Sequence, residues 1–261
     1  MRFLMVPCFV VVTLLGAMQG VSHAACKVGS VGWDALRIPP PACASPLRVV
    51  LIAGDQSDTV FDNATRAVTA ALVRRGVSEP DITRLSADPA KTGKGVRTAT
   101  AAMIRSTIAS MHPSPGQGCL VYATSHGVKG EGLYLSSLDE VLTPGELDTA
   151  LRQGCGEAST VVVISACYSG QFSQPPMTKP NRVILTAARA DRPSFGCGAG
   201  LRYTYYDDCL LQALQDHSAW PAISGSVRAC VGARERKDAY PSSMPQAYFG
   251  QGARGMVLPG G

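Results

Sequence analysis

From residue 47 onward, short apolar runs alternate with stretches of helical period, and this restricts the fold more than any other feature. Leu47 to Ala53 is an apolar run interrupted only by Arg48, the pattern of a strand buried on both faces. After a polar loop, Gly54 to Thr59, Asp62 can cap a helix. Its apolar positions Ala64, Ala67, Val68, Ala71 and Leu72 keep the helical spacing up to Gly76. Ile82 to Leu85 predicts a second strand. Beyond the glycine-containing loop Lys91 to Gly95, Val96, Ala99, Met103, Ile104, Ile108 and Met111 predict a second helix. Cys119 to Thr124 and Thr160 to Ile164 are further buried strands. Between them lie a small hairpin arm at Gly132 to Ser136 and a helix opened by the capping box Thr143-Pro144-Gly145-Glu146. A strand at Val183 to Ala187, a helix over Tyr203 to Gln215 and an edge strand at Gln246 to Phe249 complete the series. The alternation predicts an α/β fold, a mostly parallel central sheet with helices on both faces.

The segment before residue 47 is of another kind. Arg2 precedes an apolar run from Phe3 to Ala17, and the residues after it end in Ser22-His23-Ala24, the form of a secretory signal with a small-x-Ala cleavage site. The run is too short to span a bilayer. Residues 1–24 are therefore expected to be a signal peptide, 25–46 a Pro-rich arm around Pro39-Pro40-Pro41, and 47–261 a single domain, secreted or periplasmic. Of nine cysteines, Cys8 leaves with the signal, and some of the others should pair in an oxidising compartment. Cys26 and Cys43 bracket the arm and can staple it. Cys119 and Cys209, on apolar patterns, are expected as buried free thiols. There is no C-x-x-C and no His pair at ligand spacing, so neither a metal nor another cofactor is expected. The net charge of +5 drops by one with Arg2, and the basic residues are scattered. Their one cluster, Arg228 to Lys237, reads as a solvated helix face, which argues against a nucleic-acid partner. No membrane partner is expected once the signal is removed, and the oligomeric state is left open.

Two of the predicted strands end in residues that carry chemistry. Cys119 to Thr124 runs into Ser125-His126-Gly127, and Thr160 to Ile164 into Ser165-Ala166-Cys167-Tyr168-Ser169-Gly170. Sites in open α/β sheets lie at the carboxyl ends of strands, and both motifs fall there. A cysteine attacks as its thiolate, and a neighbouring imidazole can take the thiol proton and return it to a leaving amine. Gly127 has no side chain to keep its N–H from a substrate carbonyl, so with the N–H of Cys167 it can form an oxyanion hole. A serine nucleophile at Ser169 fails the Gly-x-Ser-x-Gly pattern, because position 167 is cysteine.

The order Val121-Tyr122-x-x-x-His126-Gly127, a capped helix, and a strand ending Ala166-Cys167-x-Ser169-Gly170 resembles the legumain-like cysteine peptidases, in a compact, bacterial-type form. The likeness continues through Leu185-Thr-Ala-Ala-Arg-Ala-Asp-Arg-Pro-Ser-Phe-Gly-Cys197 and Thr204-Tyr205-Tyr206-Asp207-Asp208. The resemblance implies a caspase-like three-layer fold and a cysteine endopeptidase acting on peptide or protein substrates. It also implies His126 as base and acid, Cys167 as nucleophile and Gly127 as oxyanion donor. Asp208 and Ser194 fall on the family's pocket positions, Tyr168 stands where the family has an acidic residue, and Asn63 is a candidate to orient His126. The pocket arginine has no counterpart, with Val60 or Thr65 at its place. The same dyad in a peptide ligase, and a non-catalytic binding protein of this fold, are the alternatives. The chain's end at Gly261 leads to the expectation that the C-terminal prodomain of the plant and animal enzymes is absent.

Overall fold

The computed structural model describes residues 47–198 and 200–260; the expected signal peptide and the arm with Cys26 and Cys43 lie outside them. The elements in chain order are β1 (Leu47–Ala53), α1 (Val60–Arg74), β2 (Ile82–Ser86), β3 (Val96–Thr98), α2 (Ala101–Ala109), β4 (Gly118–Thr124), β5 (Gly127–Val128), β6 (Gly132–Leu135), β7 (Glu140–Leu142), α3 (Pro144–Cys155), β8 (Thr160–Ser165), β9 (Arg182–Thr186), α4 (Tyr205–Asp216), α5 (Trp220–Lys237) and β10 (Gln246–Phe249). Among the described residues the main sheet has the order β10-β9-β8-β4-β1-β2-β3, and β5-β6-β7 form a small separate sheet. All pairings of the main sheet are parallel except that of β10 with β9.

Successive strand residues face opposite ways, which divides the core in two. Val49 and Leu51 of β1 pack with Val68 and Leu72 of α1, Leu210 of α4 and Val227 of α5 on one face. Val50 and Ile52 pack with Ile104 and Ile108 of α2 and Leu147 and Leu151 of α3 on the other. The chain runs outward from β1 through β2 to β3, then returns to lay β4 on the opposite side of β1. The topology therefore reverses between β1 and β4, the kind of place where the loops leaving parallel strands part.

Several local features differ from the sequence expectation. Asp62 does not cap α1. The N-cap is Thr59, without a side-chain bond, and the carboxylate of Asp58 before it accepts from the N–H of Val60, while Asp62 lies buried in the first turn, accepting from Ser86 Oγ at 2.8 Å with Arg84 3.6 Å away. Val96 begins a short edge strand, and α2 starts only at Ala101. Its cap is Thr100, whose hydroxyl accepts from the N–H of Met103. The capping box at Thr143 forms as expected, with both reciprocal bonds to Glu146 present. Cys119 and Cys209 are not free thiols. Cys119 pairs with Cys155, the last residue of α3, and Cys209 on α4 pairs with Cys230 on α5. Apolar surroundings mark a cysteine as buried without saying whether a second one is folded against it. Closing loops of 36 and 21 residues contributes about 3–4 kcal/mol each in the chain-entropy account.

Candidate active site

Strand register brings the two motifs together. Thr124 at the end of β4 pairs with Ser165 at the end of β8. His126 and Cys167 each lie two residues beyond that pair, on neighbouring strands. The N–H of Ser125 donates to the carbonyl of Ser165 at 3.1 Å, tying one strand end to the other. The His126 backbone is held by β6, where the N–H of Tyr134 donates to its carbonyl at 3.0 Å. Its imidazole is 44% exposed and rests on the ring of Phe61 from α1, edge to face at 5.3 Å. Of its ring nitrogens, Nε2 faces the Asp55 carboxylate at 4.0 Å.

The Cys167 sulfur is fixed from the segment after β9. The N–H of Ser194 donates to Sγ at 3.3 Å, and the thiol donates to the Ser194 carbonyl at 3.4 Å. Just beyond it Tyr168 has φ +56°, the left-handed region that non-glycine residues seldom enter, and its N–H donates to the Arg192 carbonyl at 2.8 Å. Backbone specials of this kind concentrate at functional sites. Two glycines make the arrangement possible. A Cβ on Gly127 would stand 1.9 Å from the carbonyl oxygen of Cys167, so the two backbones touch there. A Cβ on Gly170 would stand 2.5 Å from the nitrogen of Ala190, which is how closely the turn after Cys167 packs on the loop after β9.

A small pocket is lined by Ser125, His126, Ser165, Ala166, Cys167, Ser194, Phe195, Cys197 and Thr204. Ser194 is thus the pocket-wall candidate that reaches it. Tyr168 lies beside the nucleophile and is not part of that lining. Asp208 is turned away, its carboxylate bonded to Arg234 of α5 and accepting from Gln212 at 3.3 Å. Asn63 does not reach His126 either; its side chain donates to the Arg202 carbonyl and accepts from Arg66. The carboxylate facing the imidazole comes from Asp55, in the loop after β1.

Beneath the pocket the neighbouring aspartate, Asp207, is fully buried. It accepts from Tyr122 Oη at 2.7 Å and Thr124 Oγ1 at 2.8 Å, so it pins the N-terminus of α4 under the end of β4. Burial lifts its carboxyl above the ordinary range, against the pull of the surrounding hydroxyls. Among the described residues the free thiols are Cys167 and Cys197. Cys197 has an exposed surface, yet the protein crowding its sulfur, followed by the Asp207 carboxylate, pushes its thiol up to about 12. The sequence pointed to Ser194, His126, Cys167 and Gly127. It missed Asp55, Phe61 and Asp207, although Asp55 follows a predicted buried strand and was open to the strand-end rule that singled out the other two.

The Peptidase C13 family model matches residues 96–224, from β3 into α5, a span that includes both His126 and Cys167. No curated protein sequence matches the chain. Among solved structures it is similar to caspase-1 from Spodoptera frugiperda, with a TM-score of 0.57 and 13% identity over 84% of this chain and 91% of the caspase. At that identity the likeness speaks for the fold alone, and the fold is the caspase-like α/β layering that the motifs imply. With the family match lying over both strand-end motifs, the match and the fold together support a legumain-like cysteine peptidase of the caspase fold.

Proposed function

We propose that this peptidase is secreted and hydrolyses peptide bonds through a His126–Cys167 dyad. The observation that carries the proposal is the register: Thr124 and Ser165 are paired, and the imidazole and the thiol stand at the same offset beyond them. Cys167 Sγ attacks the substrate carbonyl carbon after its proton passes to His126. The N–H of Gly127 and that of Cys167 hold the developing oxyanion, in a place where their backbones already touch. His126 then protonates the departing amine, leaving a thioester that water hydrolyses. Ser194 supports this order of events twice, since its N–H is directed at the sulfur that carries negative charge and the residue lines the pocket. Secretion is supported by the signal-like residues 1–24 and by the two disulfides, which persist in oxidising compartments.

The test uses mature protein, a positional peptide library and a thiol-directed peptide probe. Wild type should cleave and take the label on Cys167, while Cys167→Ala and His126→Ala should do neither. Equal labelling of all three proteins would refute the dyad.

A further inference from the structure

The register that aligns His126 with Cys167 extends one strand further. Ala53 at the end of β1 pairs with Thr124 of β4, which pairs with Ser165 of β8. Two residues beyond these three paired positions stand Asp55, His126 and Cys167. Across the sheet they follow the order carboxylate, imidazole, thiol, and the switch between β1 and β4 falls between the first two. We propose that Asp55 is the positioning residue of the site, the third member of an Asp55–His126–Cys167 relay; the proposal rests on the dyad reading above. Asp55 lies outside the residues that the family model matches.

Three observations support the role. The Asp55 side chain is only 3% exposed, although the loop that carries it is polar. Its Oδ1 is 4.0 Å from His126 Nε2. It is held in place by Ser57, whose N–H donates to Oδ1 at 2.7 Å and whose hydroxyl donates to the same oxygen. A carboxylate facing Nε2 favours the tautomer with its hydrogen there, which leaves Nδ1 as the acceptor for the thiol proton. It also lies against the imidazolium that forms once that proton has moved. Phe61 holds the ring from another side, and catalytic hydrogen bonds that are long in the free enzyme tighten in the substrate complex.

The experiment measures kcat and KM separately, with a peptide that wild type cleaves, for Asp55→Asn, Asp55→Glu, Ser57→Ala and the two dyad variants. A melting curve accompanies each protein. Asp55→Asn keeps an oxygen acceptor for Ser57 but loses the charge. Its kcat should fall about 10- to 100-fold, part of the usual worth of general base catalysis, with KM within twofold. Asp55→Glu should recover part of the loss, and Ser57→Ala should fall between the two. Full turnover in Asp55→Asn, with both dyad variants inactive, would overturn the role of Asp55 alone. A rise in KM at unchanged kcat would do the same, as would loss of the cooperative melt in Asp55→Asn, since either assigns Asp55 to shaping the loop. Cleavage surviving in His126→Ala or Cys167→Ala would overturn the dyad itself and the relay with it.

Discussion

Gly127→Ala tests the site at the contact where it has least room. The added Cβ would lie 1.9 Å from the Cys167 carbonyl oxygen and 2.8 Å from its carbonyl carbon. A carbon resting against a carbonyl oxygen sits at about 3.3 Å, so about 1.4 Å has to be found. No flexible side chain can supply it, because the atoms it meets are backbone on both sides. Gly127 is paired with Leu133 of β6, and the residue after Cys167 is anchored by its N–H to the Arg192 carbonyl. The nucleophile's own peptide therefore has to yield. A misplacement of about 1 Å costs on the order of 100-fold in rate, and overpacking a tight contact costs about 1–3 kcal/mol in stability. For a domain of this size each kcal/mol lowers Tm by about 2–4 °C. The assay is kcat/KM on a library-derived peptide beside a thermal melt, with Gly145→Ala as control, since a Cβ there meets nothing within 4 Å. The control should keep full activity, and Gly127→Ala should lose at least about 100-fold while remaining folded. Turnover within threefold of wild type would refute the contact and the oxyanion role that depends on it.

Gly225 lies inside α5 with open space where a Cβ would go, so Gly225→Ala should raise stability by about 0.5–1 kcal/mol in a denaturant melt; a loss would contradict that packing. Limiting iodoacetamide near neutral pH should alkylate Cys167 well before Cys197, whose thiol is held up to about 12, and peptide mass mapping that finds Cys197 labelled first would refute this. The third concerns Asp207. Burial raises its folded-state value above the unfolded one, so the folded chain keeps the proton longer; the contribution of this group to stability is greatest below about pH 4 and is lost as pH rises through the folded value. Asp207→Asn should flatten that part of the Tm-against-pH curve, and identical curves for the two proteins would refute the burial argument.

Most strands and the residues that end them were legible in the sequence, because buried parallel strands are nearly continuous apolar runs and the strand-end rule needs only their boundaries. Val96 to Thr98 was not. At the sheet's edge its side chains are largely exposed, so it lacks the apolar run and blends into the helical spacing that follows. Cys119 and Cys209 were misjudged because pairing depends on which helix lies across from each. Asp208 and Asp207 show the limit most clearly. They are adjacent on one helix, about 100° apart around its axis, so one is directed under β4 while the other meets Arg234. Sequence likeness aligns the pair of residues, and the helix's rotation decides which of them faces the sheet.

The same contrast explains why the strand-end motifs resemble the family's while the residues at its pocket positions do not. His126, Cys167 and Gly127 are placed by strand register and by contact between backbones, and a change in neighbouring side chains cannot shift them without breaking the ladder between β4 and β8. The pocket wall is set by loop side chains that carry no such constraint. Val60, at one of the positions considered for the family's arginine, is fully buried in the core, and Asp208 is bound to Arg234. The pocket lining contains no aspartate, glutamate, lysine or arginine. Among the described residues that line this pocket there is no arginine–carboxylate pair. Cleavage after asparagine therefore does not follow from the dyad.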